Sequence, residues 1–178
     1  NKLYTLSELL SQVLLDRSKD TIALYNVSTG VRFFKRKLKL EGLEELILQK
    51  EPAKVLPLLE RALTTEDKLA IILEYSDTIA PAGDTSFSTI DDRAASVTLH
   101  RWSLLRALEQ ADSIVILTLE NLSELHPKIV SNPRVATVRV PMPSKDERMA
   151  LLRFLDPELD DANVDRLAEV TAGLKGIH

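Results

Sequence analysis

Leu69-Ala-Ile-Ile-Leu73, closing on Glu74-Tyr75 and running on as Ser76-Asp77-Thr78-Ile79-Ala80-Pro81, decides how this chain folds. An unbroken apolar run of this length, with no polar alternation, is what a strand buried on both faces presents. Such strands belong to parallel sheets covered by helices on both sides. In open sheets of that kind, ligands bind beyond the carboxyl ends of the strands. The acidic Glu74 therefore stands where a ligand site is expected.

Working outward, the same pattern recurs. Ser113-Ile-Val-Ile-Leu-Thr118 reads as a second buried strand and ends in Leu119-Glu120-Asn121. Val135 to Val140 reads as a third, preceded by Asn132-Pro133-Arg134 and followed by Pro141-Met142-Pro143. Between them lie a polar loop from Ser76 to Val97, a helix carrying Leu99, Trp102, Leu105, Leu108 and Ala111, and a short helix from Leu122 to Val130. Upstream, Leu6, Leu9, Leu10, Val13 and Leu14 fall at helical spacing, with Thr5 or Ser7 available as a cap. A β-rich run from Thr21 to Ser28 follows, closed by Gly30. Leu43, Leu46 and Ile47 predict a short helix, and Val55, Leu56, Leu58, Leu59 and Leu63 a longer one, with Pro52 and Pro57 limiting where each begins. After Pro143 no strand remains. Ser144 caps a helix with Asp146, Glu147, Met149, Leu151, Leu152 and Phe154, and another helix covers Val164 to Val170.

Strands alternating with helices predict βαβ crossovers. The expected fold is α/β: a parallel sheet with helices on both faces across residues 1–141, then the start of a small helical subdomain over 142–178. The composition suits a packed core. Apolar residues make up 44% of the 178 and charged residues 28%, with a net charge of −4 that gives nucleic acid no global attraction. The absence of cysteine excludes disulfides, thiolate metal sites and cysteine nucleophiles. His100, His126 and His178 show no ligand spacing, and no apolar run reaches membrane length. A soluble, cytoplasmic protein without membrane contact is expected. Lys35-Arg36-Lys37 with Lys39 is the basic cluster, read as a solvated face, with phosphate or nucleic-acid contact as the alternative. Asn1 and His178 read as trimmed ends.

The order of these features resembles the AAA family of ATPases. An apolar strand has an acidic end and Ile79-Ala80-Pro81. A strand ends in Thr118 and Asn121, with His126-Pro127 and Arg134 after it. A short strand then leads through a proline-bounded step into the helix with Lys145-Asp146-Glu147-Arg148. The resemblance spans Ala70 to Gly176. It implies a P-loop NTPase core of three layers with a C-terminal helical lid, ATP and Mg²⁺ as cofactors, and work as a homo- or hetero-oligomer. In that family the strand ends in Asp-Glu: the Asp holds Mg²⁺ and the Glu polarises the attacking water. Those positions fall on Glu74 and Tyr75. Glu74 keeps the charge with one more methylene, whereas a phenol retains its proton at neutral pH and does not replace the carboxylate base. The polar residue that senses the γ-phosphate corresponds to Glu120 or Asn121, depending on register. The arginine that reaches a neighbouring subunit's site corresponds to Arg134, expected to be exposed and unpaired with any internal carboxylate.

The departures matter as much. No G-x-x-x-x-G-K-[ST] occurs; Gly30 and Gly42 are the early glycines and neither precedes Lys-Ser or Lys-Thr. Either the phosphate loop is lost or it lies upstream of Asn1. Phe33-Phe34, the nearest thing to a substrate-gripping aromatic motif, reads better as core. Plainer readings stand beside the others: Glu74 as a solvated strand end, Arg134 as a turn residue, Asn121 and Ser123 as helix caps, His126 as a turn residue, Trp102 as core. Three functions follow. The chain is a degenerate, non-hydrolysing AAA module with a scaffold or regulatory role, part of an active ATPase whose P-loop lies elsewhere, or an α/β interaction domain that converged on the pattern.

Overall fold

In the computed structural model, residues 4–37, 43–83 and 89–173 are described. Lys39 of the basic cluster, Gly42, the loop residues 84–88, Gly176 and His178 lie outside them. Among the described residues there are four strands: β1 (Thr21–Asn26), β2 (Gly30–Lys35), β3 (Leu69–Leu73) and β4 (Ile114–Leu117). They form one sheet in the order β2-β1-β3-β4. β1, β3 and β4 run parallel, and β2 folds back antiparallel on β1.

The apolar run of β3 is buried throughout, as expected. Successive side chains of a strand point to opposite faces, and the two faces meet different helices. Ala23, Tyr25, Ile71 and Leu73 join a core with Val55, Leu56, Leu59 and Leu63 of α3 (Pro52–Thr65) and Ala95, Leu99 and Trp102 of α4 (Ile90–Trp102). Ile22, Leu24, Ala70 and Ile72 face the other way, toward Leu10 and Leu15. The parallel strands are thus sandwiched between helical layers. Each fully buried Leu or Ile contributes about 1.5–3 kcal/mol relative to exposure, so this double covering is what holds the middle of the sheet.

The helix before β1 opens as α1 (Leu6–Glu8) and continues as a π-helix, Leu9–Leu15. Its i→i+5 hydrogen bonding re-phases the apolar positions. Leu6, Leu9, Val13 and Leu14 are left exposed while Ser11 and Leu15 are buried. The α-helical face read from their spacing is not the face that packs.

The second strand of the run beginning at Thr21 was not expected. Asn26 Oδ1 accepts hydrogen bonds from the Ser28 and Thr29 backbone at 3.1 and 2.8 Å, which turns the chain. Gly30 then sits at φ +77, and a Cβ there would lie 2.9 Å from the Gln49 carbonyl oxygen, so the turn requires glycine.

Other expectations need correction. The polar stretch from Ser76 to Val97 is not one loop. It starts with a 3₁₀ turn, Ser76–Thr78, and from Ile90 it is already α4. Thr89 begins that helix through a capping box: Asp92 N–H donates to Thr89 Oγ1 at 3.1 Å, and Thr89 N–H to Asp92 Oδ2 at 2.9 Å. The helix expected across Leu99 to Ala111 is two, α4 and α5 (Arg106–Gln110), with Trp102 in the core. The helix read between Leu122 and Val130 is a 3₁₀ turn, Leu122–Glu124, and α6 (Pro127–Val130). β4 is only partly buried, since it borders the sheet. Val135 to Val140 forms no strand. Its composition suits one, but β structure is a product of pairing, and no ladder partner meets it among the described residues.

The chain divides into two compact units, one of them Leu6–Thr137. In the other, α7 (Lys145–Leu155) and α8 (Asp161–Val170) pack together around Val164 and Ala168. Ser144 and Glu147 form the capping box of α7, and Lys145 Nζ bridges to Asp165 and Glu169 at 2.6 and 3.2 Å. Α7 is also tied to α8 by Arg148 Nε, which donates to the Ala168 carbonyl at 2.9 Å.

Candidate functional site

The carboxyl ends of β1, β3 and β4 meet at one edge of the sheet, in the register Tyr25↔Leu73↔Leu117. Glu74 follows directly on β3, its backbone N–H donating to the Tyr25 carbonyl at 2.8 Å. Its side chain turns toward β1 and β2 and away from β4. Ser7 Oγ donates to Oε1 at 2.6 Å, Asn26 Nδ2 to Oε2 at 2.8 Å, and Arg32 Nη2 to Oε2 at 2.6 Å. Burial by itself would push the Glu74 carboxyl above its ordinary value. The hydrogen bonds from Ser7, Asn26 and Arg32, with the charge of Arg32, outweigh it and hold the group ionised below that value.

This arrangement bears on metal binding. A carboxylate offers about four acceptor positions, and three of them here are taken by donors. One of those donors is a guanidinium, whose positive charge opposes a second cation at the same oxygens. Mg²⁺ also demands near-ideal octahedral geometry. The residues present therefore do not fit Mg²⁺ at Glu74. What they do fit is a clasp: one carboxylate joins the N-terminal helix, the β1–β2 hairpin and the end of β3.

Tyr75 adopts left-handed backbone geometry, φ 53 and ψ 51, and the residue is 61% exposed. The 3₁₀ turn follows at once, and Ser76 is buried with its Oγ donating to the Leu73 carbonyl at 2.8 Å. Ile79 and Ala80 then enter the core. The phenol thus projects outward from a tight turn.

At the end of β4, Thr118 N–H donates to the Leu73 carbonyl at 2.9 Å, and its own carbonyl accepts from Ser76 N–H at 3.0 Å. Glu120 and Asn121 lie past this point and are exposed. Asn121 Nδ2 donates to Glu124 Oε1 at 3.0 Å, at the start of the 3₁₀ turn. The sheet thus brings Glu74, Tyr75, Glu120 and Asn121 to one edge, while the hydrogen-bonded set around Glu74 belongs to its β1–β2 side.

Arg134 is about half exposed, as the sequence led us to expect, but it is not unpaired. Its Nη1 lies 3.6 Å from Glu109 Oε1, a carboxylate that is itself 75% exposed. An exposed pair at that distance contributes little. Its backbone N–H donates to Asn132 Oδ1 at 3.0 Å, which fixes the loop. His126 accepts from the Lys128 backbone at the start of α6 and is a turn residue. Three members of the Glu74 set, Ser7, Asn26 and Arg32, escaped the sequence reading. Asn26 before Gly30 carried a turn signal, but no sequence pattern links Arg32 to Glu74.

With this geometry in place, the chain's family is clear: it belongs to the AAA+ chaperone, N-terminal Rossmann-like domain family, whose model matches residues 1–141. Among solved structures it is similar to a chain of the HORMA:CdnC:Trip13 complex of E. coli MS115-1, with 18% identity and a TM-score of 0.62. The match covers 93% of this chain and 54% of that one, so this chain spans about half its neighbour's length. At that identity the likeness speaks for the fold alone. No curated protein matches. Family membership sets aside the reading of an unrelated domain that converged on the pattern.

Proposed function

We propose that this chain is an AAA module that does not hydrolyse ATP by itself and serves as a scaffold or regulatory element of a larger AAA assembly. The observation that carries this reading is the state of Glu74. Its carboxylate is committed to Ser7, Asn26 and Arg32, and the position that should supply the base holds the outward-facing Tyr75. No G-x-x-x-x-G-K-[ST] motif occurs to cradle phosphates. In this reading residues 1–141 are the degenerate nucleotide-binding core and 142–178 begin the lid. Glu120 and Asn121 keep the place of the γ-phosphate sensor without its task. Arg134, held by a loop and bonded only weakly to Glu109, supplies an arginine to a neighbouring subunit in a cytoplasmic oligomer. That its structural neighbour comes from a multi-protein complex supports an assembly role.

The test is an ATPase assay on the purified chain with Mg²⁺. No turnover above background is expected, and Tyr75→Glu should leave it so. Turnover that Glu74→Ala abolishes would overturn the proposal. A second reading, in which a P-loop outside this sequence completes an active ATPase, is favoured by the half-covered border strand β4, where Ile114 is 39% exposed. In the longer protein that reading requires Glu74→Ala to lower ATP turnover.

A further inference from the structure

The loop bearing Arg134 and the C-terminal end of α4 border an open cavity of about 350 Å³. His100, Leu104, Lys128, Pro133 and Arg134 line it. Lys128 is exposed and makes no ion pair among the described residues, and Arg134 has only the 3.6 Å approach to Glu109. That distance is too long for a hydrogen bond. Two permanent positive charges thus border one cavity in a chain whose net charge is −4.

The third donor follows from Asn132, which is 7% exposed. Its Oδ1 accepts from Arg134 N–H at 3.0 Å, and this fixes which end of the amide is oxygen. Its Nδ2 donates to Ser103 Oγ at 2.6 Å and lies 3.3 Å from His100 Nδ1. An amide nitrogen only donates, so His100 Nδ1 accepts and the ring proton resides on Nε2. His100 lines the cavity, and Nε2–H is the donor its ring has left to offer. The same buried amide holds the Arg134 backbone beside His100 and Ser103.

We propose that this cavity binds a phosphate group, held by Lys128, Arg134 and His100. A phosphate at neutral pH carries enough charge to balance both cations, and its several oxygens accept from all three donors at once. A carboxylate can accept from three donors but carries a single charge, which leaves one of the two cations unbalanced. The site concerns this chain alone and stands whether or not Arg134 reaches a neighbouring subunit.

The test titrates the chain with inorganic phosphate at constant ionic strength, following the His100 imidazole resonances by NMR. Saturable shifts are expected. Arg134→Ala and Lys128→Ala should each weaken binding by about tenfold, the loss of one charge-assisted hydrogen bond, and acetate should bind far more weakly than phosphate. A parallel titration with ATP separates the sources. Tighter binding than phosphate assigns the site to a nucleotide's phosphoryl group, and equal or weaker binding assigns it to free phosphate. Shifts that never saturate, equal affinity for acetate, or unchanged affinity in both variants would overturn the proposal. Both residues are exposed, and an unchanged urea midpoint verifies that the variants fold.

Discussion

Replacing Glu74 tests the clasp most directly, because the cost is computed from contacts and not from resemblance. In Glu74→Ala three hydrogen bonds of 2.6, 2.8 and 2.6 Å disappear together. The losses are unequal. Asn26 is 6% exposed, and leaving its amide N–H buried without an acceptor costs about 1–3 kcal/mol. Arg32, with 52% of its side chain exposed, regains water and loses under about 1 kcal/mol. The Ser7 hydroxyl can rotate, for about 0.5 kcal/mol. The sum is about 3 kcal/mol. Glu74→Gln keeps the shape and one acceptor oxygen for Asn26 and Arg32, so it should cost about 1 kcal/mol. Urea unfolding followed by far-UV circular dichroism measures both. The pH dependence has a definite sign. The folded value of Glu74 lies below its unfolded one. Its contribution is therefore complete above the unfolded value, near pH 4.3, and fades as pH falls through the folded one. The gap between wild type and Glu74→Gln should close on acidification through that range. If Glu74→Ala lies within about 0.5 kcal/mol of wild type, the clasp reasoning fails and Glu74 is a solvated strand end.

Three further outcomes are expected. Thr89→Ala removes the capping box of α4 and should cost about 1 kcal/mol, read as a lower urea midpoint with an unchanged slope. Tyr75→Asn should stabilise the chain by about 0.5 kcal/mol, since an exposed tyrosine at φ 53 occupies a conformation that asparagine adopts more readily; thermal melting decides it, and a loss would show that the ring makes a contact worth more than the strain. Arg134→Ala should leave stability within about 0.5 kcal/mol of wild type while lowering ATPase activity in the full assembly, and unchanged activity there would remove the subunit-bridging role.

The sheet was legible where burial was complete. β3 announced itself because all five residues are apolar and all five are buried; no competing pattern fits. β4 was found from its unbroken apolar run alone, since its place at the border leaves all four residues partly or largely exposed. Legibility failed where structure depends on a partner remote in sequence. Val135 to Val140 has the composition of a strand and no ladder to join, whereas Gly30–Lys35 mixes arginine, lysine and phenylalanine and pairs because the Asn26 turn delivers it to β1. The π-helix shows a third kind of failure. Its leucines sit at α-helical spacing, but a change of hydrogen-bond register moves Leu6, Leu9, Val13 and Leu14 to the surface.

The site divides in the same way. Position along the chain placed Glu74, Glu120 and Asn121 at one sheet edge, because strand ends follow from strand limits. Position does not say what a carboxylate at that edge does; its neighbours do. An acidic strand end is a metal ligand when its oxygens are free to meet a cation, and a structural anchor when cationic and neutral donors already fill them. Here the donors come from three elements: Ser7 from α1, Asn26 from the end of β1, and Arg32 from β2. Two of these belong to the hairpin that the sequence reading missed. Asn26 serves both ends of the arrangement, since its Oδ1 builds the hairpin turn while its Nδ2 holds Glu74. Misplacing that turn would separate Arg32 from Glu74 and leave a buried carboxylate without its counter-charge. Gly30→Ala therefore makes a strong test of coupling. With φ +77 and a Cβ 2.9 Å from the Gln49 oxygen, it strains the turn by about 1–2 kcal/mol. If turn and clasp are one unit, combining it with Glu74→Ala should cost less than the two single losses added together, by about 0.5 kcal/mol or more. Strict additivity would mean that the hairpin and the carboxylate are independent, and that Asn26 merely stands near both.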